Sequence, residues 1–144
     1  MKNLAIIIPV YNEEKNISKL LSDWLRIVPK YHKKKYKFII INDGSTDKTD
    51  NKIKKIKSKY IYYVKQKNIG HGSTCIKGYK LAIKKNFDTI LQIDSDDQCD
   101  PKYFKLFLKE IKRYDVVFGY RIHREDGYFR KIFSHILSLL IFLK

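Results

Sequence analysis

Residues 4–13 of the chain are Leu4-Ala5-Ile6-Ile7-Ile8-Pro9-Val10-Tyr11-Asn12-Glu13. The run up to Val10 is short, continuous, apolar and rich in β-branched residues, and it ends in turn-forming residues. This pattern predicts a strand over residues 4–10 that is buried on both faces. Such strands are typical of parallel sheets that carry helices on both sides.

The rest of the chain alternates between apolar runs and segments with helical spacing. We predict further strands over residues 38–41, 61–64, 89–93 and 116–120. Helices are predicted over residues 17–28, ending at Pro29, over residues 48–57, from the loop 68–73 to about residue 85, and from Asp100-Pro101 onward. The alternation predicts an α/β fold with a mostly parallel sheet, helices on both faces, and ligands at the carboxyl ends of the strands.

Size and cysteine content narrow the class of protein. A chain of 144 residues that is 44% hydrophobic predicts one domain with one core. Cys75 and Cys99 lie far apart, which argues against a zinc knuckle or a disulfide-built secreted fold. The first apolar run is too short for a signal peptide, and the apolar residues 132–143 fall short of the roughly 20 that span a bilayer. We therefore expect a cytoplasmic setting.

The net charge of +16 predicts an anionic partner, such as nucleotide phosphate, nucleic acid or an acidic membrane surface. Lysines on solvated helix faces are the alternative explanation of the charge. Arg121, Arg124 and Arg130 are more informative because they fall within ten residues.

Three carboxylates, Asp94, Asp96 and Asp97, follow the predicted fourth strand. Residues two apart on extended chain point the same way, so Asp94 and Asp96 can converge on one point. Mg²⁺ or Mn²⁺ takes oxygen ligands of this kind together with substrate phosphates. The alternative is a solvated acidic turn before the next helix.

The other polar clusters are less specific when taken singly. Asn42-Asp43-Gly44-Ser45 is composed of ordinary turn formers, and Glu13 and Glu14 suit the first turn of a helix. Gly70-His71-Gly72 lacks the complete G-x-G-x-x-G fingerprint, so we interpret His71 as a loop residue rather than a base.

In this order, however, the clusters resemble the successive motifs of family 2 glycosyltransferases. The motifs are Pro9-Val10-Tyr11-Asn12-Glu13-Glu14, Asn42-Asp43-Gly44-Ser45-Thr46-Asp47, Asn68-Ile69-Gly70-His71-Gly72, Asp94-Ser95-Asp96-Asp97-Gln98 and Gly119-Tyr120-Arg121. Within the family, residues 121–134 are most similar to the dolichyl- and undecaprenyl-phosphate sugar transferases.

The resemblance implies a GT-A nucleotide-diphosphosugar fold and a role for each motif. The nucleoside would lie among Pro9, Tyr11, Glu13 and Asp43. Asp94 and Asp96 would form the Asp-x-Asp motif that holds Mg²⁺ or Mn²⁺, with Asp96 the more direct ligand, and Gln98 would position the donor. Arg121 would meet the diphosphate or the acceptor phosphate, and Arg130 with Ser134 the lipid phosphate.

Two departures accompany the resemblance. Asn42 replaces the first acid of the usual Asp-Asp-Gly-Ser, and the chain ends before the family's further strands and acceptor-side elements. We expect a nucleotide-sugar-binding core over residues 1–120 and an acceptor-side segment over residues 121–144.

The implied reaction is inverting transfer of a sugar from a UDP- or GDP-linked donor. A polyprenyl phosphate acceptor is already ionised and needs no strong general base, whereas a saccharide hydroxyl needs one. Two alternatives remain: a nucleotidyltransferase, and a non-enzymatic domain that binds nucleic acid or membrane. Of the nucleic-acid partners, we expect none that is bound sequence-specifically.

An apolar stripe follows the arginine cluster and includes Phe129, Ile132, Phe133 and Ile136. It predicts a helix that lies in an anionic membrane interface, at the cytoplasmic face, or one that packs on the protein's own core.

Overall fold

The computed structural model describes residues 2–119. A first compact unit ends at Glu110, and a second unit begins at Ile111. The first unit holds a four-stranded parallel sheet in the order β3-β2-β1-β4. Its strands are β1 (Leu4–Val10), β2 (Tyr36–Asp43), β3 (Ile61–Gln66) and β4 (Thr89–Gln92).

The helices alternate with these strands, as the sequence predicts for an α/β fold. They are α1 (Ile17–Tyr31), α2 (Thr49–Lys55), α3 (His71–Lys84) and α4 (Phe104–Glu110), the last preceded by a 3₁₀ turn (Pro101–Tyr103). Asp100 begins that turn, and its carboxylate accepts the backbone N–H of Lys102 at 2.8 Å. The predicted helix start at Asp100-Pro101 is therefore confirmed.

The two faces of the sheet bury different cores. On one face, even-numbered residues of β1 and β2 such as Ile6 and Phe38 pack with Trp24 of α1, Ile53 of α2 and Phe104 of α4. On the other face, odd-numbered residues of β1 and β2 such as Ile7 and Ile41 form a smaller core with Ala82 of α3. The period of two along each strand thus sends neighbouring residues to opposite faces.

Pro9 lies inside β1, a central strand, without breaking the sheet. The backbone N–H of Ile93 donates to the carbonyl of Ile7 at 3.1 Å, so Ile7 directs its polar backbone atoms toward β4. Pro9, two residues further on, directs its backbone the same way, but β4 pairs with β1 only up to Gln92. The missing N–H of the proline therefore costs no ladder bond.

The predicted end of α1 and the predicted fifth strand need correction. Helix α1 continues two residues past Pro29 to Tyr31, and the His32 N–H still donates to the Val28 carbonyl at 2.9 Å. The strand predicted over residues 116–120 is absent from residues 116–119, because the backbone of these residues forms no ladder of strand hydrogen bonds. Tyr120 lies outside the described residues.

Among the helices of residues 2–119, none has the length and apolar character to cross a bilayer. The predicted interfacial helix lies outside these residues, as do Arg121, Arg130 and Ser134. The predicted boundary after residue 120 stays a prediction.

Candidate nucleotide-sugar site

The predicted site residues from the first four strands meet at the carboxyl end of the sheet. Because all four strands are parallel, the segments that follow them emerge at the same end. Val10 is in register with Asn42, and Asp43 with Gln66, so the loops after β1, β2 and β3 start side by side. This arrangement confirms the sequence prediction that the polar motifs gather at one end.

The loop after β1 is fastened to the loop after β2 by backbone-to-side-chain hydrogen bonds. Asn12 has a positive φ of 53°; its N–H donates to Ser45 Oγ at 3.0 Å, and its Oδ1 accepts the Thr46 N–H at 2.8 Å. The Glu13 N–H donates to Thr49 Oγ1 at 2.8 Å. Tyr11, between these anchors and the strand, is 48% exposed, so its ring is available to a ligand.

Pro9 and Glu13 lie deeper than Tyr11. Pro9 is buried in β1. The Glu13 carboxylate accepts the Asn16 side-chain amide at 2.8 Å, and the Glu13 carbonyl accepts the N–H groups that open α1. The structure therefore gives Glu13 a helix-starting contact, as the sequence suggested for its first-turn position, whereas its predicted nucleoside contact stays a prediction.

Residues 42–45 form what we call the first acidic turn, in which Asp43 is 3% exposed. Asp43 Oδ1 accepts Gln66 Nε2 at 2.8 Å and the Ile69 N–H at 2.9 Å, while Oδ2 accepts the Gly70 N–H at 2.9 Å. Burial by itself acts to raise the pKa of Asp43, but the accepted hydrogen bonds, that of Gln66 first, outweigh it and lower the pKa below its ordinary value.

Gly44 lets this turn approach the loop after β3. Its φ is +77°, and a Cβ at this position would lie 2.7 Å from the backbone nitrogen of Asn68. Only glycine satisfies both the left-handed conformation and this distance. The loop 68–70 is consequently held against the turn by close backbone contact and by the Asp43 carboxylate.

Residues 94–97 form the second acidic turn, which follows β4. The Asp94 side chain is 42% exposed, and Asp94 Oδ1 lies 4.0 Å from His71 Nε2. Asp96 is half-buried, and its Oδ1 accepts the Gln98 N–H at 3.1 Å, which places the exposed Gln98 directly beside it. Within residues 2–119, no three His, Cys, Asp or Glu side chains converge as metal ligands.

Asp97, the last acid of this turn, lies against α1. It adopts a φ of +61°, and its Oδ2 accepts Lys19 Nζ of α1 at 2.6 Å. The ion pair turns Asp97 toward α1 and neutralises its charge. Asp97 is therefore engaged with a cation of the protein itself.

His71 is the first residue of α3 rather than the loop residue that the sequence predicted. Its Nε2 lies 3.5 Å from Cys75 Sγ as well as near Asp94. Burial, and secondly the charge of Asp94, raise the pKa of the Cys75 thiol, so this cysteine is a neutral neighbour of the turn.

Sequence reasoning missed Gln66, the last residue of β3. Its amide donates to Asp43 and to Thr74 Oγ1, and its oxygen accepts Lys77 Nζ at 2.6 Å. The predicted strand ended two residues earlier, at Val64. A polar residue at a strand end, beside a known turn, was the only available signal.

Comparison with known proteins identifies the family. The family model described as "Glycosyl transferase family 2" matches residues 5–142. The chain belongs to that family. It is 30% identical to an undecaprenyl-phosphate 4-deoxy-4-formamido-L-arabinose transferase of Photorhabdus laumondii, over 98% of this chain and 44% of that relative. A protein of Methanocaldococcus jannaschii, of uncharacterised function, is 32% identical over 95% of this chain and 60% of its own length.

Solved structures agree on the fold. S. aureus TarS 1–349 in complex with UDP-GlcNAc is similar with a TM-score of 0.60 and 24% identity, covering 85% of this chain and 37% of that one. Glucosyl-3-phosphoglycerate synthase of Mycobacterium tuberculosis, in complex with UDP, has a TM-score of 0.58 and 18% identity, covering 79% and 41%. The fold is therefore the GT-A α/β fold, and the chain spans less than half the length of the undecaprenyl-phosphate transferases it matches.

Proposed function

We propose that this member of glycosyl transferase family 2 binds the donor of an inverting, metal-dependent glycosyltransferase whose acceptor is a polyprenyl phosphate. The family match over residues 5–142 carries the proposal. The donor is a nucleotide-diphosphate sugar, UDP- or GDP-linked. Support for UDP comes from the two solved relatives that were crystallised with UDP or UDP-GlcNAc.

The nucleoside is proposed to bind over the first acidic turn and the loop after β1. Tyr11 offers an exposed ring for stacking against a base. Asp43 holds the loop 68–70 against the first acidic turn. A site whose walls are held before the ligand arrives loses less conformational entropy on binding. Gln98, whose N–H donates to Asp96, is proposed to help position the donor.

The second acidic turn has donor atoms that fit a divalent cation. Asp94 and Asp96 offer carboxylate oxygens at a strand end, and Mg²⁺ and Mn²⁺ commonly use one or two carboxylates together with substrate phosphates. When bound, the cation would stabilise the charge on the departing nucleoside diphosphate. Asp97 is not proposed as a ligand, because its carboxylate is paired with Lys19.

A polyprenyl phosphate acceptor suits the chemistry of the described residues. Its phosphate is ionised at neutral pH and attacks the anomeric carbon in line, so that the nucleoside diphosphate leaves from the opposite side and the configuration inverts. No side chain has to remove a proton. The relatives named as undecaprenyl-phosphate transferases support this acceptor, and Arg121, Arg130 and Ser134 are proposed to meet the phosphates.

The acceptor would place the protein at the cytoplasmic face of a membrane, where a net charge of +16 favours anionic lipid. The same charge supports a second candidate, a non-enzymatic domain that binds nucleic acid. The two differ in their salt dependence: oligonucleotide binding that falls steeply with salt, without any nucleotide-sugar affinity, would favour the second. A saccharide hydroxyl acceptor remains the alternative within the family.

Calorimetry with UDP- and GDP-sugars, with and without Mn²⁺, tests the proposal. We expect Asp96→Asn to lose the Mn²⁺-dependent part of the affinity while its thermal unfolding stays close to wild type. Asp88→Asn is the matched control: Asp88 lies at the amino end of β4, far from the site, and asparagine can still accept its Asn3 N–H. An Asp96→Asn protein that keeps Mn²⁺-dependent affinity would contradict the metal assignment.

A further inference from the structure

A chain of hydrogen bonds connects the first acidic turn to α2. Asn42, which is fully buried, accepts the Ser45 N–H on Oδ1 at 2.9 Å. Its Nδ2 donates to Tyr63 Oη at 2.9 Å, and Tyr63 Oη donates to Asp50 Oδ1 at 2.6 Å. Asp50 belongs to α2, and Tyr63 to β3.

Each hydrogen bond of this chain has only one possible direction. A backbone N–H can only donate, which places the oxygen of the Asn42 amide toward Ser45 and its NH₂ group toward Tyr63. The Tyr63 hydroxyl must then accept from Asn42, and its single hydrogen is left for Asp50. Ionised Asp50 has no hydrogen to donate, so it can only accept.

Charge and burial keep Asp50 ionised and Tyr63 protonated. Hydrogen bonds from Lys65 and then Tyr63 hold the pKa of Asp50 well below its ordinary range. Burial, and secondly the contact with Asp50, raise the pKa of Tyr63 to about 12, so its hydroxyl keeps its hydrogen at neutral pH. Lys54 and Lys65 pair with Asp50 at 3.0 and 2.7 Å.

The series of hydrogen bonds continues from Ser45 toward the proposed nucleoside residues. Ser45 Oγ accepts the N–H of Asn12, which adjoins Tyr11 and Glu13. Helix α2, the first acidic turn and the loop after β1 are therefore linked through the buried amide of Asn42.

We propose that Asn42 is a positioning residue of the nucleotide site, and that an amide is required at this position because Asp50 takes the only hydrogen of Tyr63. The positional role rests on the proposed function, whereas the hydrogen-bond requirement does not. In Asn42→Asp, two carboxylates would compete for one hydroxyl hydrogen, and one of them would be buried without a donor from Tyr63.

Reversing the direction of the hydrogen bonds between residues 42, 63 and 50 should repair this defect. In the double variant Asn42→Asp, Asp50→Asn, the new amide on α2 can donate to Tyr63 Oη, and Tyr63 can donate to the new carboxylate at the end of β2. The single variant Asp50→Asn keeps the original direction, since the oxygen of its new amide can accept from Tyr63. It loses the ion pairs with Lys54 and Lys65, and the double variant loses the same two pairs, so the cycle subtracts their contribution.

The experiment is a double-mutant cycle of these variants, measured by urea unfolding and by calorimetric affinity for UDP with Mn²⁺. We expect Asn42→Asp to lower the urea midpoint and to weaken UDP binding by about tenfold, and the double variant to recover most of both losses. In a Tyr63→Phe background the recovery should vanish, because the hydroxyl that reverses is gone. Tyr63→Phe also serves as a milder variant if Asn42→Asp folds poorly.

The outcomes separate this inference from the proposed function. A double variant no more stable than the sum of its single changes would overturn the directed chain. Recovery of stability with an Asn42→Asp protein that binds UDP as tightly as wild type would overturn the positioning role. If wild-type protein binds neither UDP nor GDP, the proposed function and the positioning role fall together, and the urea cycle still decides the hydrogen-bond requirement.

Discussion

Asp43 in the first acidic turn and Asp94 in the second stand at the same end of the sheet, on either side of β1, yet their surroundings differ. Asp43 is 3% exposed, and both of its oxygens accept hydrogen bonds from the chain. The Asp94 side chain is 42% exposed and has His71 4.0 Å away. Burial and hydrogen-bond donors thus make Asp43 a structural anchor, while the Asp94 side chain is partly exposed to solvent.

The comparison shows that an acid-rich motif has no fixed role. The first turn holds its own shape with buried hydrogen bonds and a glycine. The second turn carries three acids, of which Asp94 is partly exposed and Asp97 is paired with Lys19. Changes in the first turn should therefore act mainly on the fold, and changes in the second mainly on ligand binding.

The largest effect is expected for Asp43→Ala. It removes the buried carboxylate that accepts the Gln66 amide and the N–H groups of Ile69 and Gly70, which should cost about 3 kcal/mol of unfolding free energy. Nucleoside binding should weaken with or without Mn²⁺, because the loop 68–70 is released. Asp94→Ala is the matched change in the second turn, and we expect it to cost under about 1 kcal/mol. Equal costs in urea unfolding would contradict the comparison.

The next largest loss of stability is expected for Gly44→Ala. The new Cβ would meet the Asn68 backbone at 2.7 Å in a left-handed conformation, and we expect a loss of about 2 kcal/mol. Gly72→Ala is the control, since a Cβ there meets nothing within 4 Å and alanine favours the helix. Thermal unfolding of the pair should show a lower midpoint for the first only; a Gly44→Ala protein as stable as the control would mean that the turn can shift.

A smaller effect should appear as pH dependence. The pKa of Asp43 is lowered by folding, so its contribution is present above the unfolded pKa of about 3.9 and is lost as pH falls through the folded value. The stability gap between wild type and Asp43→Ala should therefore narrow as urea unfolding is repeated from pH 6 down to about pH 3. A constant gap would show that the carboxylate charge does not matter.

The smallest change is expected for Asp97→Gly in the second turn. Glycine adopts the positive φ of this position without strain, and the lost ion pair with Lys19 is exposed to solvent. Asp97→Val removes the same charge but puts a β-branched residue at a φ of +61°, so it should lower the unfolding midpoint further. Similar midpoints for the two variants would mean that the backbone of this turn relaxes.

Much of the fold followed from local pattern. Residues 4–10 were predicted as a buried strand and form β1 with those bounds. A short, continuous β-branched run that ends in turn formers favours a buried strand. The alternation of strands and helices predicted a parallel sheet, and parallel strands necessarily end together. The gathering of Tyr11, Asp43, Asp94 and Asp96 at one end was therefore predictable.

The partners of these residues were not predictable, since they depend on which strands become neighbours. The period of two could place Asn42 and Asp43 on opposite faces of the sheet, but only the position of β3 beside β2 brought Tyr63 to one of them and Gln66 to the other. The sequence by itself determined the strands, the turns and the acids that end them. The tertiary structure decided which acid is buried among donors, because hydrogen bonds between residues 21 and 23 positions apart form only after the sheet has assembled.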